Sequence, residues 1–188
     1  MQTDDTVSDW LQAWAHLIPA AGSVLDLACG RGRHTRWLAR RGYRMLALDR
    51  DRDALAETAL EPGVETLCAD LEQAAWPLAG VQFDGIVVTH YLHRPLLARL
   101  PESLAPGGVL IYETFAAGNG ELGRPSNPDF LLQTGELLDA VQGRLRVLAF
   151  QDVFRSTPGP AFIQRICAVR EPIQAPADPR KRYAVLHL

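Results

Sequence analysis

The run from Val24 to Arg33, Val-Leu-Asp-Leu-Ala-Cys-Gly-Arg-Gly-Arg, constrains the fold more than any other stretch of the chain. Ser23 to Ala28 is a short apolar run that reads as a strand. It enters a turn carrying Gly30 and Gly32. A helical pattern follows through Trp37 and Leu38 and stops near Gly42. Glycine has no Cβ, so such a turn lets a ligand approach the backbone closely. A strand that feeds a helix through a glycine turn is the opening unit of an open α/β sheet. In those sheets ligands bind beyond the carboxyl ends of the strands.

The next segments repeat that unit. Arg44 to Leu48 reads as a second strand, and Asp51 is placed to cap a helix carrying Ala54, Leu55 and Thr58. Pro62-Gly63 breaks the chain before a third strand, Val64 to Cys68. Phe83 to Thr89 is a fourth, rich in β-branched residues. A helix is expected from Pro95 to Leu104, shortened or broken by Pro101. Pro106-Gly107-Gly108 then turns the chain into a fifth strand, Val109 to Thr114. Strands alternating with helices through short connections predict a doubly wound, Rossmann-like α/β sheet, mostly parallel.

The two ends differ. Val7, Trp10, Leu11, Trp14 and Leu17 recur at helical spacing, which predicts an amphipathic helix from Asp4 to Ile18, stopped by Pro19. Late in the chain a helix over Glu136 to Val141 precedes two strand-like stretches, Arg144 to Val153 and Ala161 to Val169. The turn between them, Ser156 to Pro160, makes them an antiparallel hairpin. The hairpin would complete a seven-stranded sheet with one reversed strand. Residues 1–171 thus read as one domain, with the helix inside 1–19. Residues 172–188 read as an extended, Pro- and Ala-rich tail. The stretch from Ala116 to Thr134 is too long for an ordinary connection. Its glycines, with Phe130 and Leu131 as an anchor on the core, suggest a lid over the crevice.

Three acids fall at or near the carboxyl ends of successive strands: Asp26, Asp49 and Asp70. All three should face one crevice. With these residues in order, the chain resembles the class I S-adenosylmethionine-dependent methyltransferases. Asp26-Leu27-Ala28-Cys29-Gly30-Arg31-Gly32 looks like their first motif. Phe83 to Val88 is similar to the fourth, and Leu104 to Leu110 to the turn before the fifth strand. The likeness runs over roughly residues 20 to 170. It implies S-adenosyl-L-methionine as cofactor. The implied contacts are Asp26, Ala28, Gly30 and Gly32 around the turn, Asp49 with Arg50 at the ribose, Asp70 with the Leu71 amide at the adenine, and Thr89 at the fourth strand. Asp84 begins its strand at the wrong end for the crevice and reads as structural.

The chemistry agrees with the residue types. The cofactor carries a sulfonium, an amino acid head and a nucleoside, with no phosphate. A carboxylate at Asp26 would repel the pyrophosphate of a dinucleotide, and Ala28 and Arg33 stand where the outer glycines of a dinucleotide turn would be. His90 and Tyr91 follow the fourth strand, where the methyl acceptor must reach. They are the candidate catalytic pair, as base or as hydrogen-bonding and packing groups. Tyr112-Glu113-Thr114-Phe115 should line the same side. Residues 112–138 resemble a bacterial methyltransferase-domain subgroup near the tellurite-resistance methyltransferases.

A formal charge of -3 gives no global footprint for nucleic acid. No Asp-Pro-Pro-Tyr or Asn-Pro-Pro-Tyr follows the fourth strand. Arg31, Arg33, Arg36, Arg40, Arg41 and Arg44 cluster early, as a solvated helix face or a phosphate-tracking patch. Cys29, Cys68 and Cys167 are not ligand-spaced and read as small buried residues. No apolar run reaches the roughly 18 residues that span a bilayer, and the acidic start does not resemble a signal peptide. The expectation is a cytoplasmic methyltransferase with a small-molecule acceptor, nucleic acid being disfavoured and the oligomeric state open. An RNA or protein methyltransferase, or a non-catalytic S-adenosylmethionine-binding protein, are the alternatives.

Overall fold

A computed structural model describes residues 6–172. Seven strands form one sheet: β1 (Ser23–Leu27), β2 (Arg44–Asp49), β3 (Val64–Cys68), β4 (Phe83–Thr89), β5 (Leu104–Phe115), β6 (Arg146–Arg155) and β7 (Ala161–Val169). Their order is β3-β2-β1-β4-β5-β7-β6. β1 to β5 are mutually parallel, and β7 runs antiparallel to both β5 and β6. This is the doubly wound sheet with a reversed strand that the sequence predicts. The chain winds outward from β1 in one direction through β2 and β3, then in the other through β4 and β5. A crevice therefore opens between the carboxyl ends of β1 and β4.

Side chains alternate between two faces along each strand. Leu25 and Leu27 of β1, Ile86 and Val88 of β4, and Leu110 and Tyr112 of β5 enter one core. They pack there on Leu96, Leu100, Leu137 and Val141. Val24, Met45, Val87, Val109 and Ile111 point the other way, onto Trp10, Leu11 and Leu38. Each fully buried leucine stabilises the fold by about 2 kcal/mol. The helices between the strands are short: α1 (Asp9–Trp14), α2 (Arg33–Ala39), α3 (Arg52–Thr58), α4 (Arg94–Leu97) and α5 (Glu136–Val141).

Several expectations are corrected. The N-terminal helix covers only Asp9–Trp14, followed by a 3-10 turn over Ala15–Leu17. Ser8 starts it, its side chain accepting from the Leu11 amide. Ile18 is already extended, as a residue before proline prefers. The part of the expected helix over residues 4–5, and the tail from 173 onward, lie outside the described residues. The helix expected over Pro95 to Leu104 shrinks to Arg94–Leu97, and isolated turns carry the chain to Ser103 because Pro101 has no N–H to continue it. Pro106-Gly107-Gly108 is a bulge within β5. Leu104 pairs with Phe83, but the next pair is Gly85 with Val109. A Cβ on Gly108 would lie 2.8 Å from the Phe83 carbonyl, so the bulge requires glycine there. Cys29 and Cys167 are buried, but Cys68 is exposed at the carboxyl end of edge strand β3, its Sγ 3.6 Å from the Arg50 carbonyl. No helix among the described residues is long and apolar enough to cross a membrane.

Candidate functional site

At the carboxyl ends of the parallel strands the crevice holds a cavity of about 310 Å³. Each of four strands delivers residues to it: Ala28 after β1, Asp49 and Arg50 from β2, the run Ala69 to Glu72 after β3, and His90 with Tyr91 after β4. Seven of the expected site residues therefore meet in one space: Ala28, Asp49, Arg50, Asp70, Leu71, His90 and Tyr91. Asp26, Gly30, Gly32 and Thr89 lie beside or beneath it and do not line it.

Asp49 is the best-held of these groups. Its Oδ2 accepts from the Gly30 N–H at 2.7 Å and its Oδ1 from the Asp51 N–H at 2.9 Å. These bonds tie the end of β2 to the glycine turn and leave each oxygen a further lone pair for a ligand hydroxyl. Asp70 Oδ1 accepts from the Glu72 N–H at 3.0 Å, a local turn that fixes its carboxylate beyond β3. Asp51 caps α3 through the Asp53 and Ala54 amides, as its position suggests.

The backbone is strained at two points that face each other across the switch. Ala28 (φ 57°) and His90 (φ 54°) are both left-handed without being glycine. Such a conformation costs on the order of 1 kcal/mol per residue, and it is kept where surrounding structure enforces it. Both line the cavity. Gly30 is also left-handed (φ 54°), and a Cβ there would meet nothing within 4 Å, so its open side leaves room for a ligand. Gly32 differs: a Cβ would lie 2.4 Å from the Thr58 side chain, so packing of α2 on α3 requires that glycine.

Asp26 sits under the turn at 1% exposure, its Oδ2 accepting from the Thr35 hydroxyl at 2.6 Å. Burial pushes its carboxyl up to about 6, against the lowering effect of the Thr35 bonds. Beside it lies His34, which sequence reasoning passed over. Burial pulls its imidazole down to about 3, so it stays neutral at ordinary pH. Its Nε2 accepts from the Ser8 N–H and from Arg33 Nε, both at 3.2 Å. The proton therefore rests on Nδ1 and is donated to Thr89 Oγ1 at 3.1 Å. This bond ties the end of β4 to α2 and leaves the Thr89 hydroxyl its own proton to donate.

Tyr91 is half-buried. Burial first, then Glu72 and Asp70, push its phenol up to about 12, so it is a hydrogen-bond donor and not a base at neutral pH. Tyr112 holds it from below by donating its hydroxyl to the Tyr91 carbonyl at 2.8 Å. The His90 ring stacks on Phe115, with centroids 5.0 Å apart. Its Nδ1 lies 3.4 Å from an Arg33 Nη.

A second cavity, of about 240 Å³, adjoins the first and shares Glu72, His90 and Tyr91 with it. Thr114 and Phe115 reach it from β5 as expected, while Glu113 turns away to pair with Arg165 at 3.2 Å. Pro125 and Phe130 close it from the long loop. Of the expected anchor pair Leu131 is buried, with Leu132 beside it, but Phe130 is not: it is 45% exposed. The loop is tied down at its base by the Ala117 N–H to Leu132 carbonyl bond and the return bond from Leu132 to Phe115. Buried Asn119 pins its middle, donating to the Pro125 carbonyl and accepting from the Phe162 amide. Arg94 clasps its end. It pairs with Glu136 at 2.7 Å and donates to the carbonyls of Asp129 and Leu131.

Asp84 is structural: it accepts from the amide and hydroxyl of Ser23 at the opposite end of the sheet. The early arginines are largely engaged within the chain. Arg31 pairs with Glu57 and Arg40 with Glu61, Arg41 lies over the Trp37 ring, and Arg44 donates to the Ala21 carbonyl.

A family model described as a methyltransferase domain matches residues 24–108. A malonyl-[acyl-carrier protein] O-methyltransferase of Serratia marcescens is 32% identical over 136 residues, covering 68% of this chain and 47% of that protein. A trans-aconitate 2-methyltransferase of Paracidovorax citrulli (strain AAC00-1) is 39% identical over 103 residues, 50% of this chain and 38% of that one. The chain thus spans less than half the length of these relatives. Among solved structures, TehB from Haemophilus influenzae superimposes with a TM-score of 0.73 at 19% identity, over 90% of this chain and 64% of that one. The glycopeptide N-methyltransferase MtfA, solved with S-adenosyl-L-homocysteine, gives 0.61 at 19% identity, over 86% and 88% of the two chains. Those two likenesses are of fold. Residues 24–108 thus match a methyltransferase domain, and the sheet around them has the fold of solved S-adenosylmethionine-dependent methyltransferases.

Proposed function

We propose that this chain is an enzyme that transfers the methyl group of S-adenosyl-L-methionine to a small-molecule acceptor. The observation that carries the reading is the first cavity. Of the three carboxylates on its wall, Asp49 and Asp70 come from the ends of adjacent strands β2 and β3, and Glu72 follows two residues later. Such a donor set suits a nucleoside with ribose hydroxyls and an exocyclic amine. It does not suit a pyrophosphate, since Arg50 is the one cationic side chain on that wall. The open side of Gly30 gives the cofactor's amino acid head a place against the turn. Asp26 acts on that end from below, by holding Thr35 and the start of α2.

When bound, the cofactor supplies an electrophilic methyl group on a sulfonium. The protein's part is alignment, the larger share of catalysis in a transfer of this kind. Asp49 and Asp70 fix the nucleoside. Tyr91, protonated and braced by Tyr112, borders both cavities and donates toward whatever lies between them. His90, held left-handed and stacked on Phe115, presents its ring at the same boundary, placed to take a proton from an acceptor that carries one. The engaged arginines, and the cavity's small size, favour a small molecule over a nucleic acid. The unpaired cysteines suit a reduced, cytoplasmic setting. Calorimetry tests the reading. S-adenosylmethionine and S-adenosylhomocysteine should bind, and NAD should not. Binding of NAD without either adenosyl ligand would overturn it.

A further inference from the structure

The second cavity has a chemistry of its own. Its walls beyond the shared residues are Leu92, Thr114, Phe115, Pro125 and Phe130. The rings of His90 and Phe115 stack on each other with 25° between their planes, so each holds the other in place at the cavity wall. Phe130 stands on the loop with nearly half its surface in water. That is a costly place for an aromatic ring, yet the backbone beneath it is held on both sides by Arg94. The loop is therefore built to present this ring, and the ring has not simply been left out of the core.

The charges point the same way. Glu72 is the one carboxylate on this wall, and Asp70 lies next to it in the adjoining cavity. No lysine or arginine lines the second cavity among the described residues. Arg33 approaches His90 but is held by His34, and Arg94 is committed to Glu136 and the two carbonyls. A carboxylate entering here would lose water beside Glu72 with no lysine or arginine on the cavity wall to replace it. A flat neutral or cationic ring would gain stacking without placing a second carboxylate beside Glu72.

We propose that the second cavity, walled by His90, Phe115 and Phe130 with Glu72 at its seam, binds a flat aromatic acceptor that carries no carboxylate. This rests on the methyltransferase reading and names the class of molecule the site takes. Phe130 sets the fit from one side, and Arg94 positions it.

The test is ligand-observed NMR titration of the full chain saturated with S-adenosylhomocysteine. The probes are indole and indole-2-carboxylate, which differ only in the excluded group. Indole should bind at least about tenfold more tightly. Phe130→Ala should weaken indole about fivefold or more, as loss of a stacking partner does, while calorimetric affinity for S-adenosylhomocysteine stays unchanged. Glu72→Gln should narrow the preference against the carboxylate. Equal or tighter binding of indole-2-carboxylate would overturn the proposal. So would absence of indole binding to the loaded protein, or Phe130→Ala behaving as the parent. Failure of S-adenosylhomocysteine itself to bind is read separately by calorimetry, and it would overturn the reading beneath.

Discussion

The two cavities of the crevice are built by different means. The first is made of strand ends. Its polar groups are carboxylates locked by backbone amides one or two residues from the sheet, and its walls come from four successive parallel strands. The second is made largely of rings, one of which, Phe130, is carried by the long loop, with Arg94 bonding the carbonyls on either side of it. Rigidity in the first follows from the sheet. In the second it is supplied by side-chain bonds. The cofactor half is thus tied to the fold, while the acceptor half can change without disturbing it.

The largest expected effect bears on the first half. Asp49→Ala removes the two charge-assisted bonds proposed for it to a ribose, each worth about 1.5 to 3 kcal/mol, and orphans the Gly30 amide. Cofactor affinity should fall at least tenfold and, if both bonds are lost in full, by about a hundredfold or more. Calorimetry on the folded variant checks it. Unchanged affinity would mean that the strand-end acids do not define the first cavity's ligand.

Next is the buried floor of that half. Asp26 titrates near 6 in the fold, above the ordinary carboxyl value, so the folded state takes up its proton first as pH falls. The stability linked to Asp26 is fully present below about 4 and is lost as pH rises through about 6. His34 runs the opposite way. Its imidazole is depressed, so its share is present above about 6.5 and lost as pH falls toward 3. Asp26→Asn separates the two. The variant should gain on the parent by on the order of 2 kcal/mol between pH 4 and pH 7. Urea unfolding at several pH values reads the difference. A gap that does not vary with pH would show that Asp26 ionises freely.

The smallest effect sharpens the contrast from the other side. Arg94→Ala should cost about 1 kcal/mol of stability, because its ion pair is partly solvated and the carbonyl bonds are the larger share. Amide exchange should quicken across residues 116–134, and acceptor binding should weaken. Affinity for S-adenosylhomocysteine should stay within about twofold. A matching loss of cofactor affinity would show that the two halves are one unit.

That division also explains what could be read in advance. Alternation of apolar residues, the glycine turn and the acids at strand ends depend on neighbours a few positions apart. The sheet and seven members of the first cavity were visible for that reason. Leu92, Pro125 and Phe130 meet because the long loop returns to the crevice; its length and glycines suggested a lid, but not which of its residues would face the cavity. Phe130 looked like an anchor since aromatic side chains are usually buried. The tether that reverses this comes from Arg94 and Glu136, on two other elements. Glu72 was hidden inside a turn whose acid, Asp70, drew the attention. His34 was missed because its partners, Ser8 and Thr89, are 26 and 55 positions away. The bulge at Gly108 escaped because Pro-Gly-Gly reads equally well as a plain turn.

The reversed strand has a practical consequence. β7 runs from Ala161 beside the long loop down to Val169, which pairs with Val109 at the start of the regular part of β5. Its nine residues span about 30 Å of sheet at about 3.3 Å each. Arg170 then bonds Gly107 and Gly108 on the floor of the molecule. A fluorophore or surface tether attached at Glu171 would therefore stand at the pole opposite the crevice. The mouth would stay open to solvent, and the two ligands could be titrated on an immobilised protein without the attachment shading either of them.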